Sequence, residues 1–275
     1  MGHPIAQLIS VDGAQLEVEE HGSGDAVVLI QTALMADELT PLARQPGLRN
    51  GYRTVLYHRR GYAGSSPTRT PGSVVGDAND CQALLAKLGI ERAHIVGLSY
   101  SASVALQLAV DAPGCVHSLA LLEPPPVHVP SAGEFRAANA RLREVHEARG
   151  PAAALDEFLT LLIGAGWRDS CERLVPGSVE QMQRDAGTFF DVDLPAVLGW
   201  RFTAADARRI SCPVLHIGGS ESGPWFAEVR KLVLAWLPQT EDVVIAGADH
   251  SLATSHPADV ADALVRFLDL YPIAG

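Results

Sequence analysis

The stretch that most constrains this chain is Ala93-His94-Ile95-Val96-Gly97-Leu98-Ser99-Tyr100-Ser101-Ala102-Ser103-Val104-Ala105-Leu106-Gln107-Leu108-Ala109. It opens as a short apolar run rich in β-branched residues and turns at Gly97-Leu98-Ser99-Tyr100-Ser101. It then continues as an Ala/Leu segment with helical periodicity. A buried strand, a tight turn carrying one serine, and a helix is the layout of a nucleophile elbow. The general pattern is Gly-x-Ser-x-Gly, and here Ser101 stands in the last position. Such a turn lifts the serine Oγ clear of the backbone. The helix that follows aims free N–H groups, and the positive end of its dipole, at the same point. The plainer reading of a serine between strand and helix is an N-cap, so the rest of the chain has to decide.

Strands and helices alternate around this unit. Gln7-Leu8-Ile9 and Gln15-Leu16-Glu17-Val18-Glu19 flank Asp12-Gly13 and predict a β-hairpin at a sheet edge. Ala26-Val27-Val28-Leu29-Ile30 has no polar interruption, as in a strand buried on both faces. Arg53 to Tyr57 reads as another strand, ending in a loop from His58 to Pro67. From Val74 to Leu88, Cys81, Leu84, Leu85 and Leu88 share one helical stripe, and Val116 to Leu122 is a further strand. After Glu123, Pro124-Pro125-Pro126 and Pro130 stop the strand rhythm. Helices are predicted from about Ala132 to Asp206, among them Glu134 to Arg149, Ala152 to Ile163 and Asp191 to Trp200, with a short segment from Ala204 to Arg209. The strand pattern returns at Pro213 to Gly218, followed by a helix around Trp225 to Trp236, a strand from Asp242 to Ala246, and a last helix from Pro257. Val260, Leu264, Phe267 and Leu268 make the buried stripe of that helix. The order predicts an α/β fold whose mostly parallel, eight-stranded sheet is flanked by helices, with a helical cap inserted after the sixth strand. Residues 1–126 and 207–275 form the core in this reading, and 127–206 the cap. Right-handed crossovers put the loops at the strand ends on one edge.

Composition narrows the function classes. With 47% hydrophobic residues in 275, the chain can bury a sizeable core and is not a disordered protein. A net charge of −11 argues against a nucleic-acid surface and gives no support for binding anionic membranes. Cys81, Cys115, Cys171 and Cys212 are widely spaced, which predicts free buried thiols in a reducing compartment. Met1 to Ser10 lacks a basic region followed by an apolar core, and no apolar run approaches a membrane span. A cytoplasmic location is the expectation. Gly61, Gly64 and the arginines before them match no nucleotide-binding pattern. Arg136, Arg141, Arg143 and Arg184 in the cap read as solvated helix faces.

Four residue sets converge: the turn from Gly97 to Ser101, the loop Arg60-Gly61-Tyr62-Ala63-Gly64-Ser65, the late turn Gly247-Ala248-Asp249-His250, and the strand–helix order with its insertion. In that order and spacing the chain resembles the α/β-hydrolase-fold family over nearly its full length. The resemblance implies a triad running Ser, then Asp or Glu, then His. Ser99 maps onto the nucleophile and His250 onto the base. The alternative for His250 is a surface-loop histidine. Similar hydrolases place the acid just beyond the strand Val214 to Gly218 in a Gly-x-x-Asp pattern. Counted from Pro213 that position is Ser222, with Glu221 beside it. The other place in this fold is the end of the preceding strand, where Glu123 stands. Position favours Glu123 over Glu221, against a plain role in anchoring the cap's entry loop. Similar proteins carry His-Gly after the third strand. Here Gln31-Thr32 stands there, with Ala33 as the implied oxyanion donor and the Tyr100 amide as the second. The Gln31 and Thr32 side chains either reach the pocket or satisfy the loop's own amides.

The reading is a serine hydrolase acting on a small to medium hydrophobic ester, thioester or lactone through an acyl-enzyme, with no metal or cofactor implied. A halide- or epoxide-processing member of the family would carry a carboxylate where Ser99 stands. The alternative is a non-hydrolytic protein of the same fold that binds, isomerises or cyclises a small hydrophobic molecule. Ser222 and the Gln31-Thr32 pair motivate it.

Overall fold

A computed structural model describes residues 6–68 and 71–273. Residues 1–5, half of the segment read for a leader, lie outside the described residues. Eight strands form one sheet: β1 (Gln7–Val11), β2 (Ala14–His21), β3 (Ala26–Ile30), β4 (Arg53–Tyr57), β5 (Ala93–Leu98), β6 (Val116–Leu122), β7 (Val214–Gly219) and β8 (Thr240–Ile245). Their spatial order is β1-β2-β4-β3-β5-β6-β7-β8. The hairpin β1–β2 is antiparallel, and β2 meets β4 antiparallel; every other pairing is parallel. The predicted sheet is borne out, with the edge hairpin where the alternating pattern put it.

The apolar runs explain why the centre of the sheet is so deeply buried. Side chains alternate between faces along a strand, and both faces here meet helices. Val28, Ile30, Ile95, Leu119 and Leu121 pack on one side with the helices Val74–Lys87 and Tyr100–Asp111. Val27, Leu29, Val96, Leu98, Ala120 and Leu122 face the other, against the C-terminal helix Pro257–Leu270. Val260, Leu264, Phe267 and Leu268 of that helix are buried as expected. Cys81, Leu84 and Leu85 are buried too, while Leu88 is only half-buried at the helix end. Four free cysteines are present, but only Cys81 and Cys171 are buried. Cys115 and Cys212 are half-buried, because they sit in the connections leading into β6 and β7, not within packed elements.

The segment after β6 is helical, with main helices Ala132–Arg149, Pro151–Ile163, Trp167–Leu174 and Ser178–Thr188. Their apolar faces join the sheet core through Leu142, Leu155, Leu159, Trp167 and Met182. The stretch read as one helix from Asp191 to Trp200 is in fact two pieces. Phe189–Asp193 forms a π-helical turn, and Leu194–Gly199 an α-helical one. Leu194 N–H donates to the Phe189 carbonyl, five residues back. Pro195, having no N–H, cannot restore the ordinary bond to Asp191. The wide turn buries Phe189, Phe190, Val192 and Asp193 together. No helix of the described residues is long and apolar enough to cross a membrane.

One buried histidine ties the hairpin to the loop edge. His58, just after β4, has Nδ1 2.8 Å from Glu17 Oε2 and Nε2 3.3 Å from Asp37 Oδ1. Burial alone would lower its pKa, but the two carboxylates outweigh it and hold the imidazole at about 9. A folded pKa raised above the unfolded value of roughly 6.5 adds stability that is complete below that value and vanishes as pH rises through 9. Unfolding free energy should therefore fall by about 2–3 kcal/mol between neutral pH and strongly alkaline pH. Urea titrations across that range check it, and His58→Gln should flatten the slope.

Candidate active site

The turn after β5 holds Ser99 in an unusual backbone conformation. Ser99 takes φ 51° and ψ −117°, a left-handed value uncommon outside glycine. Its N–H donates to the Leu122 carbonyl at 2.9 Å, which pins the turn to the end of β6. Gly97 lets the turn close: a Cβ there would run into the Ser101 carbonyl. Ser101, in the position where glycine is usual, is fully buried and braces the turn. Its Oγ accepts from Leu98 N–H at 2.9 Å and donates to the Leu98 carbonyl at 3.0 Å.

Glu123 lies one residue past β6, also at positive φ, 43°, and is 2% exposed. Its Oε1 accepts from Gly219 N–H at 2.8 Å, and its Oε2 lies 2.7 Å from His250 Nδ1. Two strand ends and the turn after β8 thus meet at one carboxylate. His250 is buried, and Phe226 stacks on its ring at 4.0 Å between centroids with 19° between planes. With Nδ1 donating to the carboxylate, Nε2 carries the lone pair. Glu221 takes no part in this contact: it is exposed, and its carboxylate accepts from Ser220 Oγ at 3.2 Å. Sequence reasoning did not single out Phe226.

Gln31 and Thr32 satisfy the loop itself. Gln31, fully buried, accepts from Arg59 N–H at 3.0 Å and donates to the Thr32 carbonyl; Thr32 Oγ1 donates to the Leu98 carbonyl at 2.7 Å. Arg59 organises the rest. Its Nε donates to the Gln31 carbonyl at 2.9 Å and its Nη2 to the Thr32 carbonyl at 3.2 Å. In a trans peptide the C=O and N–H point in opposite directions. Holding the Thr32 carbonyl toward Arg59 therefore turns the Ala33 N–H the other way. Among the described residues, neither the Ala33 nor the Tyr100 amide is committed to an acceptor.

Arg59 is 3% exposed and keeps its charge through two carboxylates. It pairs with Asp193 of the π-helical turn at 2.5 Å and with Asp77 at 2.7 Å, and stacks 4.2 Å from the Tyr100 ring centroid. Tyr62 donates to Asp193 at 2.6 Å and accepts from Leu34 N–H at 3.1 Å. Gln181, from the helix Ser178–Thr188, accepts from Ala36 N–H at 2.9 Å and donates to the Leu34 carbonyl at 3.0 Å. The insertion thus holds the 31–36 loop directly through Gln181 and, by way of Arg59 and Tyr62, through Asp193, roles that sequence reasoning missed. The one signal was the Arg59-Arg60 pair in an acidic chain, and Arg60 is likewise committed, to Asp80. Of the cap arginines, Arg141, Arg143 and Arg184 form exposed ion pairs, while Arg136 also donates to the Leu198 and Val127 carbonyls.

Ser99, His250, Ala33, Tyr100 and Thr32 all line one cavity beneath the inserted helices. It encloses about 1110 Å³ of empty space, mouth included, with walls that include Met35, Phe135, Phe158, Leu159, Met182 and Phe226.

Comparison with known proteins follows the same lines. Residues 21–263 match the sequence profile described as "Alpha/beta hydrolase family". Over 118 residues the chain is 34% identical to the dihydrolipoyllysine-residue acetyltransferase component of the acetoin cleaving system of Cupriavidus necator, covering 43% of this chain but only 32% of that protein. It is 25% identical over 289 residues to the fluoroacetate dehalogenase of Burkholderia sp, covering 95% and 93%. A thermophilic esterase from Thermogutta terrifontis superposes with a TM-score of 0.83 at 19% identity, over 98% of this chain and 100% of that one. At that identity the likeness is one of fold.

Proposed function

The chain belongs to the alpha/beta hydrolase family, and on that premise we propose that it is a serine hydrolase working on small to medium hydrophobic esters, thioesters or lactones. The observation that carries the reading is the 2.7 Å contact between His250 Nδ1 and the buried Glu123 carboxylate, in the cavity that Ser99 also lines. Ser99 is the nucleophile, His250 the base and Glu123 the acid.

In the first half-reaction the substrate carbonyl sits between Ser99 and the Ala33 and Tyr100 amides. Ser99 Oγ attacks the carbonyl carbon while His250 Nε2 takes its proton, since a serine hydroxyl is a weak nucleophile until a base accepts that proton. Glu123 steadies the imidazolium through Nδ1–H. The two amides donate to the oxyanion, each such donor being worth roughly 10²–10³ in rate. The tetrahedral adduct collapses, the alcohol or thiol leaves with the proton from His250, and Ser99 keeps the acyl group. Water, deprotonated by His250, then attacks the ester carbonyl; the acid is released and Ser99 Oγ recovers its proton. The relative named a fluoroacetate dehalogenase does not redirect this reading, because a serine stands at the turn where halide chemistry needs a carboxylate.

The non-hydrolytic alternative drew on Ser222 and on Gln31-Thr32. A carboxylate reaches His250 from β6 instead, and Gln31 and Thr32 are spent on the loop backbone, so neither feature argues for lost activity. A fluorophosphonate probe tests the proposal. Folded protein should label stoichiometrically on Ser99, and the Ser99→Ala protein should not label. Unlabelled Ser99 in folded protein would sink the hydrolase reading.

A further inference from the structure

The cavity holds one ionisable side chain that the proposed reaction leaves unused. Glu38 follows the 31–36 loop and lines the cavity with Ser99 and His250. Among the described residues its carboxyl group has no hydrogen-bond or ion-pair partner. It is packed deeply among protein atoms yet keeps some accessible surface, as a group facing a cavity does. The ionisable groups that act on it electrostatically are His250 and Asp249 from the turn after β8, and it acts in turn on Cys171 from the helix Trp167–Leu174. Burial pushes the carboxyl up to about 7, with His250 opposing the rise and Asp249 adding to it.

Several of the other polar groups on the cavity wall have spent their donors. Thr32 donates to the Leu98 carbonyl, Thr254 to the Ser251 carbonyl, and Ser251 to Asp249. Asn139 donates one amide N–H to the Phe135 carbonyl at 2.7 Å. No Lys or Arg lines the cavity. The wall therefore presents an unpaired carboxyl in a largely apolar setting with no lysine or arginine to meet it. Such a carboxyl resists ionisation until an opposite charge arrives. A ligand that brings a cation supplies the missing partner as a charge-assisted hydrogen bond, stronger than the one a neutral donor makes.

We propose that Glu38 is a substrate-recognition residue, and that the site takes esters, thioesters or lactones whose hydrophobic body carries a protonated amine docked on the Glu38 carboxylate. The ester chemistry rests on the serine-hydrolase reading; the ammonium subsite does not. The test is kept free of turnover for that reason. Binding of phenethylamine, and of phenethyl alcohol as its neutral counterpart, is measured by calorimetry near neutral pH on the full chain carrying Ser99→Ala. The amine should bind at least tenfold more tightly than the alcohol. Adding Glu38→Gln should bring the two within about twofold of each other, and adding Glu38→Asp instead should keep part of the preference. Equal binding of the two probes, no measurable binding of the amine, or a preference that survives Glu38→Gln in protein with an unchanged circular dichroism spectrum overturns the proposal. If Glu38→Gln does not fold, Glu38→Asp decides: an undiminished preference there overturns the proposal, and a reduced one supports it. Failure of fluorophosphonate labelling would reject the hydrolase reading and leave this measurement standing.

Discussion

Glu123→Ala is expected to lower kcat by roughly 10³–10⁴-fold, the loss that follows removal of the acid from a serine–histidine–acid set. Without the carboxylate, Nδ1–H has no acceptor at 2.7 Å. The imidazole can then take the other tautomer, which puts the proton on the nitrogen that must accept one. Phe226 still stacks on the ring and keeps its plane, so the deficit should lie in kcat more than in KM. Glu123→Gln should be nearly as damaging: the amide preserves the shape and the acceptor for Gly219 N–H, but can itself donate to Nδ1 and stabilise the wrong tautomer. Glu221→Ala should stay within about twofold of wild type, since that side chain is exposed and bonded to Ser220. Steady-state kinetics on a chromogenic ester separate these outcomes. A severe loss in Glu221→Ala with Glu123→Ala active would reverse the assignment of the acid.

Asp193→Ala is expected to cost about 3–5 kcal/mol of stability, the usual penalty for stranding one member of a buried ion pair. Arg59 would keep Asp77 but lose its bond to Asp193, and the Tyr62 hydroxyl would lose its acceptor as well. Urea denaturation measures the loss; a value below about 1 kcal/mol would show that the pair is not the tie it resembles. The double replacement Arg59→Met with Asp193→Leu should recover only part of the stability, because it removes that pair but leaves Asp77 with the Tyr100 hydroxyl alone. It should not recover activity. Arg59 is also what turns the Thr32 carbonyl away from the cavity, and with it the Ala33 N–H the other way. Slow fluorophosphonate labelling in a stable double variant is the expected signature, and a wild-type labelling rate would separate the loop from the ion pair.

These two expectations divide along what could be read from the chain. The strand–turn–helix unit around Ser99 was legible because its determinants are local: a β-branched run, a glycine needed for close approach, and a serine at the start of a helical period all lie within a few residues. The parallel sheet was legible for a similar reason, since uninterrupted apolar runs such as Ala26–Ile30 can only be strands buried on both faces. Glu123 was singled out by position alone, as the residue that follows β6. Its contact with His250 joins residues 127 apart, and only the parallel pairing of β6 with β7, and of β7 with β8, brings them side by side. Periodicity carried no trace of the π-helical turn, because Phe189–Asp193 is a single turn, too short to establish a period of its own. Arg59 was read only as one of the arginines before Gly61 in a loop that matches no nucleotide-binding pattern; Asp193, 134 residues away, became its partner only when the inserted helices folded back over the loop edge. Glu38 carried no motif at all. Its meaning comes from the absence of a counter-charge around a cavity whose walls are drawn from many separate segments. Sequence by itself determined the elements, their order and the residue types at the strand ends, because those follow from local sterics and from which side chains must leave water. Tertiary structure alone decided which charges meet, since pairing and desolvation depend on distances that the chain sets only once it is folded.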